Sequence, residues 1–257
     1  EVASEELGVK LENLEIGLKS TLFDRRLVLN VALFSQKVTD QQLLVQIPNP
    51  LCTFNPATGA ITGCPPGAFS TLAGVQTVGD SDVWGSEVEG RFQATDRFAL
   101  TFGVGYADHE FADAIGPFRN TDPQLFLPGE TLKGKTSVNT PRVTGNLSGE
   151  YRLPLSGGRF DLALRADALY TGKRYVDLAN RASIEAVTRF NARATLTGGD
   201  GRWSLSLFGK DITDEDTLLG AGLTGSSTCY YPETPLPVAA RASQLRQHRH
   251  VGVVALE

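Results

Sequence analysis

One short stretch carries the side-chain types on which hydrolytic catalysis usually depends. Asp108-His109-Glu110 places an imidazole beside two carboxylates, and an Asp–His pair at the end of a strand can act as a general base that activates water. The alternative is a polar strand end with no chemical role, and we favour it because the chain lacks both the GxSxG and the HExxH motif. We therefore predict no catalytic residues and no enzyme.

Two glycine patterns match nucleotide-binding expressions. Gly129–Thr136 satisfies GxxxxGK[ST], which cradles phosphate only when a buried strand precedes it and a helix follows. Pro128 and Pro141 flank the match, so no helix is expected there. Gly220–Gly225 satisfies GxGxxG but lies in a loop that leads to Cys229. Neither pattern predicts a nucleotide cofactor.

Metal ligation also lacks a convincing pattern. His248 and His250 share one strand face, but they would need a third ligand from elsewhere. The acidic residues from Asp211 to Asp216 lack the glycine and the bidentate glutamate of a calcium loop. We predict neither a metal site nor any other cofactor.

Charge and cysteine content narrow the function class. The 257 residues include 24 Lys+Arg and 29 Asp+Glu, a formal charge of −5, without the clustered basic residues that a nucleic-acid partner requires. The three cysteines lie in Pro/Gly-rich stretches without zinc spacing. We predict a Cys52–Cys64 disulfide in an oxidising compartment, worth about 3 kcal/mol by chain-entropy arguments. That pairing leaves Cys229 without a partner among the three cysteines of this sequence, and the identity of its partner stays open.

Hydrophobicity alternates with a period of two residues along most of the chain. From Phe98 to Tyr106 every second residue is apolar, and the residues between them are small or polar. The segment that starts at Phe160 repeats this alternation with Asp161, Arg165 and Asp167 on its second face. This pattern predicts nine strands and no helix, and no apolar run is long enough for a transmembrane helix.

The links between the predicted strands alternate between short and long. Short polar turns are expected at residues 24–26, 95–97, 154–158 and 198–201. Longer links rich in Gly, Pro, Thr and Asn are expected at residues 48–81, 112–138, 176–184 and 215–247. Short turns at one end and long loops at the other are typical of an up-and-down meander.

Strand length separates two architectures. The alternation persists for roughly 9 to 13 residues in most strands, whereas soluble sandwiches use strands of about 5 to 6 residues and a bilayer needs about 9 to 11. A charged second face suits a wet lumen better than a dry core. We predict an all-β fold, an antiparallel up-and-down transmembrane β-barrel segment. Nine is an odd number, so the strands would form part of a larger barrel.

The residues also resemble a known family. Glu15-Ile16-Gly17-Leu18-Lys19-Ser20 and the strand that ends at Phe34 resemble a hairpin of TonB-dependent outer-membrane receptors. Ser86-Glu87-Val88-Glu89-Gly90 is similar to the family's G-x-E-x-E strand. Tyr170–Leu178 and Trp203–Asp214 resemble two later motifs. These motifs occur in the family's order.

The resemblance implies a barrel of about 22 strands around a plug domain, with residues 1–257 forming its C-terminal part. The plug and the N-terminal TonB box would then be absent, and the chain ends at Glu257 rather than at the family's terminal aromatic residue. Expected partners are outer-membrane lipid, an imported ligand and, through the missing N-terminal part, the inner-membrane TonB complex. The expected location is the outer membrane of a Gram-negative bacterium, with the long loops extracellular.

The long-loop side is the expected ligand surface. Cationic and aromatic side chains there could pair with or stack on an anionic ligand. The candidates are Arg119, Arg174, Tyr230 and Tyr231, whereas Tyr175 is better explained as a girdle residue. The resemblance implies energy-coupled import of a scarce compound such as a ferric siderophore. The alternatives are a passive porin, an outer-membrane barrel enzyme and a soluble all-β binding domain.

Overall fold

The computed structural model describes residues 8–54, 61–69, 71–113, 131–198, 201–215 and 250–256. These residues are mostly extended, and no α-helix occurs among them. Nine strands form the main sheet: β1 (Lys10–Leu22), β2 (Leu27–Pro48), β5 (Thr71–Thr95), β6 (Phe98–Asp113), β7 (Val143–Leu155), β8 (Phe160–Thr171), β11 (Val187–Gly198), β12 (Trp203–Lys210) and β13 (His250–Leu256). Four short strands lie outside it: β3 (Thr53–Phe54), β4 (Ile61–Gly63), β9 (Arg174–Tyr175) and β10 (Ser183–Ile184).

The main sheet is an antiparallel meander, as predicted. Its strand order is β1-β2-β5-β6-β7-β8-β11-β12-β13, so each of these strands pairs with the next one along the chain. Short turns close the hairpins, for example between Leu22 and Leu27 and between Thr95 and Phe98. Within the described residues, β1 and β13 are the two edges and do not pair with each other. The sheet is therefore open in this structure.

Register aligns the apolar residues of neighbouring strands on one face. Val31 on β2 is opposite Val88 on β5, and Val88 is opposite Val104 on β6. Because side chains alternate along each strand, this register keeps one face of the sheet apolar. At the β1 edge, Leu14 and Ile16 on this face are 76% and 71% exposed. A large exposed apolar face is suited to lipid rather than to water.

Aromatic side chains lie near both ends of the apolar face. Near the short turns, Phe98 lies 6.4 Å from Tyr151 and Phe160 lies 6.1 Å from Trp203, measured between ring centroids. Near the long loops, Trp84 lies 5.1 Å from Tyr106. On β6, Phe98 of the lower aromatic level and Tyr106 of the upper aromatic level are eight residues apart, a distance of about 26 Å along the strand. For a strand tilted by about 40°, this distance corresponds to roughly 20 Å along the membrane normal. This spacing is close to the apolar band of a membrane barrel.

The longest strands extend well past the apolar face, which corrects the predicted link at residues 48–81. β2 has 22 residues and β5 has 25, and their pairing continues from Leu27–Phe92 to Pro48–Thr71. A bulge near Asp40, whose φ is 57°, interrupts the register. Residues 71–81 of the predicted link are thus paired strand of β5, because cross-strand hydrogen bonding continues where the alternation of side chains fades.

Candidate functional site: the polar inner face and the long-loop rim

The second face of the sheet is polar and hydrogen-bonded. The amide of Asn30 on β2 donates to Glu89 Oε1 on β5 at 3.0 Å. Further round the sheet, Ser148 Oγ donates to Asp167 Oδ1 at 2.5 Å, and Arg165 Nε donates to the same oxygen at 2.8 Å. These groups are placed by the alternation of β2, β5, β7 and β8, because the residues between them carry the apolar face. The arrangement provides a wet, charged surface opposite the apolar one.

At the long-loop end, residues 131–142 fold back over the tip of β6. Phe111 N–H donates to the carbonyl of Lys135 at 3.0 Å, and Gly134 N–H donates to the carbonyl of Phe111 at 2.9 Å. Phe111 and Leu132 are each 1% exposed. This small apolar cluster anchors the segment, which we call the rim segment, to the strand.

His109 lies under the rim segment and is 8% exposed. Ser137 N–H donates to His109 Nδ1 at 3.2 Å, and Ser137 Oγ lies 3.4 Å from Nε2. Burial lowers the pKa of His109, and the nearby carboxylates of Asp108 and Glu110 only partly oppose this. The imidazole therefore serves as a neutral hydrogen-bonding group that holds the rim segment.

Asp108 and His109 do not form a catalytic pair. Successive strand residues face opposite sides, and Asp108 binds Arg142 Nε at 2.7 Å while His109 contacts Ser137. Glu110 also reaches Arg142, at 3.7 Å. The carboxylates and the imidazole thus serve separate contacts, which removes the geometry that a general base oriented by a carboxylate requires.

A second contact ties the rim segment to the loop after β8. The side chain of Asn180 accepts a hydrogen bond from Thr136 N–H at 2.8 Å and donates to the carbonyl of Thr136 at 2.9 Å. The carboxylate of Asp177 accepts from the N–H groups of Arg181 and Ala182, the latter at 2.7 Å. Asp177 therefore shapes the loop that presents Asn180.

The loop between β2 and β5 is closed covalently. Cys52 and Cys64 form a disulfide with a sulfur–sulfur distance of 2.06 Å. Asn49, 4% exposed, donates through its amide to the carbonyl of Phe69 at 2.8 Å and accepts from Leu51 N–H at 3.0 Å. These contacts hold the described ends of the loop together.

The structure describes one of the four predicted ligand-binding residues. Arg174 lies in β9 and is only 9% exposed, so most of its side chain is not available on the surface. Arg119, Tyr230 and Tyr231 lie outside the described residues. Tyr175 is half-buried in β9, and the ammonium group of Lys173 lies over its ring, 5.8 Å from the ring centroid.

The remaining sequence motifs show no cofactor geometry in the described residues. Thr136 is followed by turn residues and then by β7, not by the helix that a nucleotide loop requires. Asp211 is 1% exposed at the end of β12, and its N–H donates to Asn191 Oδ1 at 3.0 Å. Gly220–Gly225 and His248 lie outside the described residues.

Neither a metal-ion cluster nor a membrane-spanning helix occurs in the described residues. They contain no group of three or more His, Cys, Asp or Glu side chains arranged to hold a metal ion. They also contain no helix that is long and apolar enough to cross a membrane.

Sequence reasoning missed the residues that build the rim. Thr136 and Asn180 are separated by 44 positions, and neither belongs to a motif with Ser137 or Asp177. A polar residue in a loop carries no local signal that identifies its tertiary partner. The one hint was the long link itself, since loops of that length are often functional.

Comparisons with known proteins give a consistent assignment. The family model described as "TonB dependent receptor-like, beta-barrel" matches residues 9–212, more than half of the chain. The ferric yersiniabactin uptake receptor FyuA from Yersinia pestis is similar in structure, with a TM-score of 0.61 and 16% identity over 85% of this chain and 27% of that one.

Two further solved structures are similar at the level of the fold. The siderophore receptor PiuA from Acinetobacter baumannii has a TM-score of 0.60 and 20% identity over 95% of this chain and 28% of that one. The ferric citrate transporter FecA has a TM-score of 0.57 and 16% identity over 96% of this chain and 31% of that one. The chain thus spans less than a third of the length of each of these structures. On the family match and the two-faced sheet, this chain belongs to the TonB-dependent receptor-like β-barrel family.

Proposed function

We propose that the chain is the C-terminal barrel portion of an energy-coupled outer-membrane receptor that imports a scarce, bulky compound, with ferric siderophores as the first class to test. The observation that carries the proposal is the register of β2, β5, β6, β7 and β8, which places apolar residues on one face of the sheet and polar or charged residues on the other. That arrangement fits a wall between lipid and a wet lumen.

The open edges support a larger barrel. An unpaired strand edge in lipid leaves backbone N–H and C=O groups without partners, at several kcal/mol for each group. In our proposal the rest of the protein supplies further strands beside β1 and β13, together with a plug that fills the lumen. The long loops then face the cell exterior, and the TonB complex engages the protein from the other side.

The names of the structurally similar receptors support the ligand class. FyuA is named as a ferric yersiniabactin uptake receptor, PiuA as a siderophore receptor and FecA as a ferric citrate transporter. At these identities the likeness establishes the fold alone, so iron import by this protein is our proposal. Family and neighbours consist of receptors and transporters rather than enzymes.

Uptake by the full-length protein tests the proposal. The protein is expressed in a Gram-negative strain that lacks its own siderophore receptors, and radioactive iron uptake is measured with a panel of ferric siderophores and ferric citrate. We expect uptake of at least one complex that disappears in an otherwise identical strain without TonB. Uptake that persists without TonB, together with ion conductance in planar bilayers, would instead establish a passive porin. Expression without uptake of any complex would exclude ferric siderophores as the ligand class.

A further inference from the structure

A cavity of about 290 Å³ lies between the rim segment and the chain that follows β8. The rim segment contributes Thr136, Thr140 and Arg142 to its lining. The chain around β9 contributes Tyr170, Lys173 and Tyr175. Arg174, the predicted ligand-binding residue that the structure describes, is not among its lining residues.

The charge of this cavity is cationic. Arg142 and Lys173 are the charged residues among the described residues that line it, which include no carboxylate. Arg142 binds Asp108 through Nε at 2.7 Å and approaches Glu110 with Nη2 at 3.7 Å, and a guanidinium has five N–H donors in all. Lys173 lies 3.4 Å from Glu185, whose side chain is 77% exposed and therefore well screened by water. Both cations keep donors for a further acceptor.

A buried hydroxyl in the lining lacks a partner. Thr136 is 6% exposed, and its Oγ1 makes no hydrogen bond to any described residue. Asn180 occupies both backbone polar groups of Thr136, so the side chain is fixed while its hydroxyl stays unsatisfied. Leaving a buried hydroxyl unpaired costs about 1–3 kcal/mol, and an unpaired group of this kind requires an explanation. A ligand that accepts a hydrogen bond would supply one.

The cavity lies where the apolar face ends. Tyr170 is opposite Gly145 in the sheet, and Val143, another lining residue, is opposite Tyr106 of the upper aromatic level. Aromatic rows of a membrane barrel mark the boundary between acyl chains and headgroups. The cavity therefore begins at the height where the phosphates of lipid headgroups occur.

We propose that this cavity binds a phosphate group. A phosphate has several acceptor oxygens, which match the donors of an Arg, a Lys and a Thr that line one cavity from two segments. The group could belong to a membrane lipid or to free phosphate. The lipid source rests on the barrel placement given under the proposed function, whereas the binding of free phosphate does not.

The test uses the full-length protein with two probes. In the lipid arm, the protein in nanodiscs is examined by native mass spectrometry for retention of bisphosphorylated lipid A and of the same lipid without its phosphates. In the free-ion arm, the protein in detergent is titrated with inorganic phosphate by calorimetry. The variants are Lys173→Gln and Thr136→Val. Lys133→Gln is the matched control, because Lys133 is an exposed cation of the same segment that does not line the cavity.

We expect Lys173→Gln to weaken phosphate binding by about tenfold or more and Thr136→Val by about threefold to tenfold, with Lys133→Gln unchanged. Retention of only the phosphorylated lipid identifies the lipid source, and saturable binding of inorganic phosphate identifies the free-ion source. No preference for phosphate in either arm overturns the proposal, as does an equal loss in Lys133→Gln.

Stability without phosphate provides a second readout. Thr136→Val should leave protection of the rim segment from hydrogen exchange unchanged or higher when phosphate is absent, because the variant removes an unsatisfied hydroxyl. A lower protection would show that the hydroxyl has a protein partner and would overturn the inference. Failure of iron uptake, by contrast, would count against the proposed function and leave this test intact.

Discussion

The side-chain amide of Asn180 binds both backbone polar groups of Thr136, with hydrogen bonds of 2.8 Å to the N–H and 2.9 Å to the carbonyl. The two residues are 44 positions apart in the sequence. The contact joins the rim segment to the loop after β8. Because Thr136 is buried, these bonds satisfy groups that water does not reach. One amide side chain thus satisfies both backbone groups of Thr136 and contributes to the packing of the long-loop end.

Replacing Asn180 should loosen the rim without unfolding the sheet. Asn180 has a φ of 58°, so Asn180→Gly preserves the backbone conformation while removing the side chain. We expect a loss of about 1–3 kcal/mol in the local opening free energy of the rim segment, measured by hydrogen exchange of residues 131–142. Asn180→Asp keeps the acceptor for Thr136 N–H and should lose less. Equal protection in all three proteins would show that the amide contributes nothing.

The rim should also respond to pH through His109. Burial lowers the pKa of the folded imidazole, so the unfolded segment binds more protons than the folded one once the pH falls below about 6.5. The neutral ring accepts from Ser137 N–H, and protonation at Nδ1 removes that acceptor. The stability of the rim segment is expected to be constant above the unfolded pKa of about 6.5. It should decrease as the pH falls from that value to the lowered pKa of the folded imidazole.

Hydrogen exchange of the rim segment at pH 7.5 and 5.0, corrected for intrinsic exchange rates, measures this effect. His109→Gln retains a polar side chain but does not titrate, so the variant should lose most of the pH dependence. Persistence of the full dependence in His109→Gln would assign it to other groups, such as Asp108 or Glu110.

Removing the disulfide should release the loop between β2 and β5 but spare the sheet. In the chain-entropy view, a bridge over this short loop is worth about 3 kcal/mol. We expect the double variant Cys52→Ser/Cys64→Ser to be cleaved within residues 49–70 by a protease that leaves the oxidised protein intact. The β2–β5 pairing should keep the remaining strands resistant. Identical cleavage patterns would mean that Asn49 and its hydrogen bonds already close the loop.

Two neighbouring residues on β2 test which face meets lipid. Leu33 is 54% exposed on the apolar face, and Ala32 is opposite Glu87 on the polar face. Leu33 is opposite Ser86, which is paired with Tyr106 of the upper aromatic level. Because the penalty for a cation is smaller there than at the bilayer midplane, Leu33→Arg should cost about 1 kcal/mol in unfolding free energy in lipid. Ala32→Arg places the same charge beside a carboxylate and should be close to neutral. The reverse order, measured by denaturant unfolding in lipid vesicles, would contradict the assignment of the faces.

Much of the sheet was predictable because the determining signal is local. The alternation from Phe98 to Tyr106 sets both strand and face, and it needs only the pleat of a single strand. The nine strands, their order and their short turns follow from the same signal. The ends of β2 and β5 did not follow, because their outer halves carry weaker alternation and are fixed by pairing with each other.

The sequence by itself determined a two-faced antiparallel sheet and, through an ordered set of motifs, the family. Tertiary structure alone decided that Arg174 is buried, that Asp108 and His109 serve different partners, and that Thr136 meets Asn180. The physical reason is the distance along the sequence over which each signal acts. Strand periodicity repeats every two residues, whereas the rim is built from single polar contacts between distant segments, and no local pattern encodes which pairs will meet.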